Sequence, residues 1–185
     1  MEEAGTTAEG RSAFETSEGA REERSGGDHA RRWLFLGAAA TVIVLDQITK
    51  TLVRTFLERG ESWPDPDWIL KLRHVTNSGA AFGILQDQTT FLIVMAFVGM
   101  IAIYLYYRFP PFDHLIVPVA IGLMLGGAAG NLIDRIIHGR VTDFIDPMRF
   151  PAFNVADSAI NMGIAIILIG YLVIGHKQDQ SPAPE

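Results

Sequence analysis

Four long apolar stretches, Trp33–Leu52, Thr90–Tyr107, Leu115–Ile137 and Phe153–Ile174, are set in a chain that is polar at both ends. Each has about the length needed to cross ~30 Å of hydrocarbon at ~1.5 Å per residue. Soluble core helices need a polar face, and these have almost none. The pattern predicts an all-α membrane protein with four transmembrane helices within residues 33–177. Residues 1–32 are rich in Glu, Gly, Ser, Thr and Arg, with few large apolar side chains, and are expected to be a disordered tail. Eight acidic residues and no apolar core precede Arg31-Arg32, unlike a signal peptide, so the first span is expected to be retained. Residues 178–185, with Pro182 and Pro184, are expected to form a second solvated tail.

Between the first two spans, the period changes. From Ile69 to Thr76 the chain alternates as a strand does, with Leu70, Leu72 and His74 expected on one face and Ile69, Lys71, Arg73 and Val75 on the other. That suggests a short sheet at the membrane surface. Asn77-Ser78-Gly79-Ala80-Ala81-Phe82-Gly83 follows, where two glycines permit a tight backbone and close approach of a ligand, or simply a turn before the second span.

Polar residues interrupt three of the four spans, and an ionisable group in lipid is costly enough to suggest a functional site. Asp46 and Lys50 in the first span have the spacing of an i,i+4 ion pair, for which a structural role is expected. The third span runs through Gly126-Gly127-Ala128-Ala129-Gly130, small residues that let helices approach closely, to Asn131, Asp134 and Arg135 on one helical face. This face is either a site or a salt-bridged helix end. Asp143 lies among Val141, Phe144 and Ile145, so desolvation should raise its pKa. Asn154 and Asp157 open the fourth span, where the plain reading of the motif alone is an N-cap with an acidic first turn. Two aspartates in one low-dielectric site can share a proton and hydrolyse a carbonyl substrate by exchanging acid and base roles. On pattern alone, Asn131-x-x-Asp134 and Asn154-x-x-Asp157 look like matched halves, which pairs Asp134 with Asp157.

Composition narrows the chemistry. The absence of cysteine excludes disulfides, thiolate metal sites and cysteine nucleophiles. No nucleophile-elbow serine supports a Ser/His/Asp triad, no His or carboxylate cluster has metal-ligand spacing, and no basic patch suggests nucleic acid. The net charge of -6 comes mostly from the tails. Topology is poorly marked, because seven Lys and Arg on one side of the spans face eight on the other; Arg31-Arg32 before the first span favours a cytoplasmic N-terminus.

Asp46-Gln47-Ile48-Thr49-Lys50, Asn77 to Gly83, Gly130-Asn131-Leu132-Ile133-Asp134-Arg135, Val141-Thr142-Asp143-Phe144-Ile145 and Phe153-Asn154-Val155-Ala156-Asp157 occur in that order. Together they resemble bacterial lipoprotein signal peptidase, also called signal peptidase II. The resemblance implies an aspartyl endopeptidase of the bacterial inner (cytoplasmic) membrane that removes signal peptides from diacylglyceryl-modified prolipoproteins, without metal or cofactor. It implies a catalytic dyad at Asp143 and Asp157, in place of the pairing that pattern alone suggests. Asn77, Gly79, Asn131, Arg135 and Asn154 would position substrate or stabilise the dyad, and Asp46, Lys50 and Asp134 would be structural. It further implies a four-helix transmembrane bundle with both termini in the cytoplasm, a small extracytoplasmic β subdomain built partly from residues 60–76, and an opening toward membrane lipid. A proton-coupled transporter using Asp46, Asp134 and Asp157 is the alternative from another class, though it should show internal repeats or broken helices. Other intramembrane aspartyl proteases carry a Gly-x-Gly-Asp pattern that this chain lacks.

Overall fold

A computed structural model describes residues 5–64, 68–79, 84–110, 112 and 114–175. Helix α1 runs Gly5–Phe56, α2 Thr89–Arg108, α3 Ile116–His138 and α4 Val155–Gly170, the last continuing into a π-helical turn, Tyr171–Gly175. Strands β1 (Ser62–Trp63), β2 (Leu70–Asn77) and β3 (Val141–Pro147) form one antiparallel sheet in the order β1-β2-β3. All four helices contain a segment long and apolar enough to cross a membrane, where helices satisfy every internal backbone group. The fold is thus the expected four-span bundle with a small sheet.

The backbone is helical from Gly5, through most of the stretch expected to be disordered. Glu, Arg and Ala are good helix formers, and once the first span supplies a nucleus each added residue gains a hydrogen bond. Residues 1–4, Ala80 to Gly83 and the C-terminal tail 178–185 lie outside the described residues.

Helix α3 is the common neighbour of α1, α2 and α4. Its glycines make this possible. A Cβ on Gly122 would lie 2.5 Å from the Phe35 carbonyl oxygen of α1, and one on Gly126 2.6 Å from that of Ala39. On the facing side, a Cβ on Gly127 would strike the Ala156 carbonyl of α4. Such small-residue seams replace the hydrophobic drive that lipid does not provide. At the end of the bundle away from the sheet, Phe35, Phe112, Val117 and Ile121 form a buried cluster, with Tyr107 stacked on Phe35 at 4.2 Å.

The sheet departs from simple alternation at one point. Leu72 pairs with Ile145 and Val75 with Asp143, so Arg73 and His74 together oppose Phe144 in a β-bulge. The bulge turns Val75 and Asn77 onto the face of Asp143, where unbroken alternation would have set Val75 opposite Leu72. His74 is buried, with Nδ1 2.9 Å from the Leu57 carbonyl at the end of α1; a carbonyl only accepts, so that nitrogen carries the hydrogen. Beyond β3, Ile145 and Phe153 exchange backbone hydrogen bonds of 2.8 and 3.0 Å, which hold the start of α4 beside the strand carrying Asp143.

Candidate active site

Three structural devices deliver the site's side chains. Helix α3 projects Asn131 and Arg135 from its last two turns before ending at Gly139, whose left-handed φ of 71° favours glycine. Strand β3 carries Asp143. Helix α4 starts at Asn154, which forms a capping box with Asp157: the Asn154 side chain accepts from the Asp157 N–H at 2.9 Å, and Asp157 Oδ2 accepts from the Asn154 N–H at 3.3 Å. Capping and candidate chemistry, alternatives in the sequence, therefore coexist in the same residues.

Asparagine amides hold both carboxylates. Asn154 Nδ2 donates to Asp143 Oδ1 at 2.7 Å, and Asn77 Nδ2 donates to Asp143 Oδ2 at 3.1 Å. Asn131 Nδ2 donates to Asp157 Oδ1 at 2.8 Å. The Asn131 oxygen accepts from Lys50 Nζ at 2.9 Å and Asn154 Nδ2 at 3.1 Å, which fixes its amide with the NH₂ toward Asp157. Asn77 also accepts from the Gly79 N–H at 2.9 Å, and Arg135 Nη2 donates to the Gly79 carbonyl at 3.2 Å, so Gly79 is held where the two meet. A Cβ on Gly79 would come within 2.6 Å of the Ile84 carbonyl oxygen, so this turn leaves no room for a side chain.

Asp143, Asp157, Asn77, Asn131 and Arg135 line one cleft of about 830 Å³, walled otherwise by Val75, Val141, Phe150–Phe153 and the first turns of α4. Burial first, then the charge of Asp157, push the Asp143 carboxyl up to about 7, against hydrogen bonds from Asn77 and Asn154 and the field of Lys50. A carboxyl poised near neutrality suits proton exchange.

Asp134 is placed differently. It is fully buried and absent from the cleft lining. Its oxygens accept from Arg54 Nη1 at 3.1 Å and from the Thr142 N–H at 2.9 Å, tying α3 to α1 and β3. Beside it, Lys50 and Asp46 form a fully buried pair at 2.8 Å, and Asp46 Oδ1 accepts the Ala156 N–H at 3.0 Å. A Cβ on Gly130 would sit 2.6 Å from Asp46 Oδ2, so glycine there leaves space for the carboxylate. The matched look of Asn131-x-x-Asp134 and Asn154-x-x-Asp157 thus conceals different surroundings. Sequence reasoning missed Arg54 and Thr142, which hydrogen-bond each other at 3.0 Å, and Asn161 in the cleft wall. Spacing offered a signal for two of them: Arg54 continues the 46, 50, 54 face, and Asn161 lies four residues after Asp157.

Among the described residues, no group of three or more His, Asp or Glu converges to hold a metal ion. A second hollow of about 530 Å³, between α2, α3 and α4, is walled by aliphatic side chains with Tyr106 and Tyr171 and holds no group suited to catalysis.

Four apolar spans with a carboxylate-lined cleft at one end define a polytopic membrane protein with an aspartic-type site. Residues 38–173 match the family described as Signal peptidase (SPase) II, and the chain belongs to that family. It is 45% identical over 146 residues to the lipoprotein signal peptidase of Shouchella clausii, covering 77% of this chain and 95% of that protein. It is 38% identical over 148 residues to that of Moorella thermoacetica, covering 80% and 99%. A solved bacterial membrane enzyme at 32% identity superposes with a TM-score of 0.73, covering 81% of this chain and 94% of the other. Another, at 35% identity, gives 0.68 with coverage of 76% and 93%.

Proposed function

We propose that this chain is an intramembrane aspartyl endopeptidase that cleaves the signal peptide from diacylglyceryl-modified prolipoproteins, with Asp143 and Asp157 as its dyad. Family membership supports the activity, and the observation that most supports the residue assignment is that Asn154 binds both of the carboxylates that line one cleft. Near neutrality the pair shares one proton, resting on Asp143. Asp157, ionised and steadied by Asn131, takes a proton from water as its oxygen attacks the scissile carbonyl carbon. The Asp143 proton moves to the carbonyl oxygen, giving a neutral tetrahedral diol. Asp143 then takes a proton back from a diol hydroxyl while Asp157 protonates the departing nitrogen. The C–N bond breaks, and the pair again holds one proton.

Arg135 lines this cleft and holds the Gly79 carbonyl, a pair that can align an extended substrate backbone. In this reading the enzyme lies in the bacterial inner membrane with both termini cytoplasmic, and substrate enters sideways from lipid. Since the chain has no cysteine, single cysteines at Arg31 and Lys177 allow that topology to be read by labelling intact cells. The activity is tested by incubating purified protein in lipid with a diacylated prolipoprotein and with the same precursor lacking its lipid. Cleavage of the diacylated form alone is expected; cleavage of neither by well-folded protein would remove the peptidase reading.

A further inference from the structure

Charges at the junction of α1, α3, α4 and β3 do not balance. Asp46, Asp134, Asp143 and Asp157 supply four carboxylates, while Lys50, Arg54 and Arg135 supply three cations. Asp46, Lys50 and Asp134 have no exposed side-chain surface at all. His138, 3.8 Å from Asp134, has a side chain 39% exposed and reaches the cluster only from its watered edge. Net charge in a low-dielectric interior is costly, so the cluster is most easily kept when it carries one proton. One shared proton is also what an aspartyl dyad needs.

We propose that Lys50 is a positioning residue that sets the proton count of the Asp143 and Asp157 pair, acting through Asn131 and through its own charge. The inference rests on those two aspartates being the dyad. Lys50 Nζ lies 2.8 Å from Asp46 Oδ2 and 3.7 Å from Asp134 Oδ2, and donates to Asn131 Oδ1 at 2.9 Å. That last bond turns the Asn131 NH₂ onto Asp157. Asp46 completes the connection from the other side, because its Oδ1 accepts the N–H of Ala156, immediately before Asp157. The buried pair therefore reaches the turn bearing Asp157 by two routes. A pair that only held helices together would leave the pH dependence of cleavage alone; one that sets the proton count moves it, in a direction fixed by which charge is removed.

The test is the pH profile of kcat/KM on a diacylated prolipoprotein, measured on the full chain with thermal unfolding in parallel. Lys50→Met removes a cation, so neutrality requires two protons. Cleavage at pH 7 should fall at least about tenfold, and the optimum should move to higher pH by about one unit or more. Asp46→Asn removes a carboxylate while keeping an acceptor for Ala156, and its optimum should move to lower pH. The double variant restores the balance and should return the optimum to within about half a unit of the parent. Opposite shifts that cancel in the double variant support the proposal. Unmoved optima in folded single variants, or shifts in the same direction, overturn it. Should Lys50→Met not fold, Asp46→Asn carries the test: an acidic shift supports the proposal, and an unmoved or alkaline optimum overturns it. Asp143→Asn, run alongside, separates the two readings. If it cleaves normally the dyad assignment has failed and this inference with it, whereas an inactive Asp143→Asn with unmoved optima elsewhere defeats the proton-count inference alone.

Discussion

Helices α2 and α3 are of similar length, 20 and 23 residues, and both are apolar enough to cross a membrane. Yet 6% of the apolar window of α2 is buried in the protein, against 56% of that of α3. Their small residues differ. Helix α3 carries Gly122, Gly126, Gly127 and Gly130 along the sides that meet α1 and α4, whereas Gly99 of α2 has open space where a Cβ would stand. In lipid, hydrophobicity inserts a helix but does not say what it packs against; close backbone approach does. Once α3 is gripped on two sides, its polar end can hold Asn131, Asp134 and Arg135 at fixed distances from α1, β3 and α4. Helix α2 bears no Asn or Asp and a single Arg, Arg108 in its last turn, and packs chiefly on α3.

That contrast can be broken most severely at the carboxylates. Asp143→Asn and Asp157→Asn keep size but lose proton exchange, and each should lower single-turnover cleavage per folded molecule by about 10³-fold or more. The double variant should be scarcely worse than either, because the pair acts as a unit. Substantial cleavage by Asp143→Asn, with none by a fully stable Asp134→Asn, would move the dyad to Asp134 and Asp157.

Packing comes next. Gly126→Val drives a branched side chain into the Ala39 carbonyl and Val42, and should cost about 3 kcal/mol or more in detergent unfolding. Gly99→Val on α2 should change stability by less than about 0.5 kcal/mol, measured the same way. Equal losses at the two glycines would remove the distinction between the helices.

Asp134→Asn should destabilise by roughly 2–4 kcal/mol, since it replaces the carboxylate that faces Arg54 and leaves Lys50 with Asp46; as one carboxylate fewer it should also move the pH optimum lower, and at that optimum its activity should fall only in step with the folded fraction. Chemical denaturation alongside turnover checks this.

The pH dependence is subtler. With Asp143 at about 7, kcat/KM should decline above about pH 7 as the shared proton is lost. Because the folded value lies above the ordinary one of 3.8, the contribution of Asp143 to stability is complete below 3.8 and is lost as pH rises toward 7. The Asn77 hydrogen bond favours the charged form, so Asn77→Ala should move the descending limb to higher pH, by about half a unit to one unit. An acidic displacement would contradict this account of Asp143. The smallest effect is expected at the N-terminus, where removing residues 1–28 should leave cleavage per folded molecule within about twofold, since few large apolar side chains are lost.

The four spans and the strand after the first of them were legible in the chain, because membrane insertion and strand alternation are written as local periodicities, and the motifs singled out Asn77, Asn131, Arg135, Asp143 and Asp157, which line the cleft. The resemblance to signal peptidase II depended equally on short motifs in order. The helical backbone of residues 5–32 was not legible, because low hydrophobicity says nothing of a helix propagated from its neighbour. Nor was the bulge at Arg73 and His74, which needs β3 as partner to exist and which turns Asn77 toward Asp143. Pattern alone makes Asp134 and Asp157 equivalent. Only the tertiary structure separates them, by closing α1 and β3 over Asp134 and leaving Asp157 in a cleft, because a carboxylate's role follows from the donors and the water around it and not from the residues beside it in sequence.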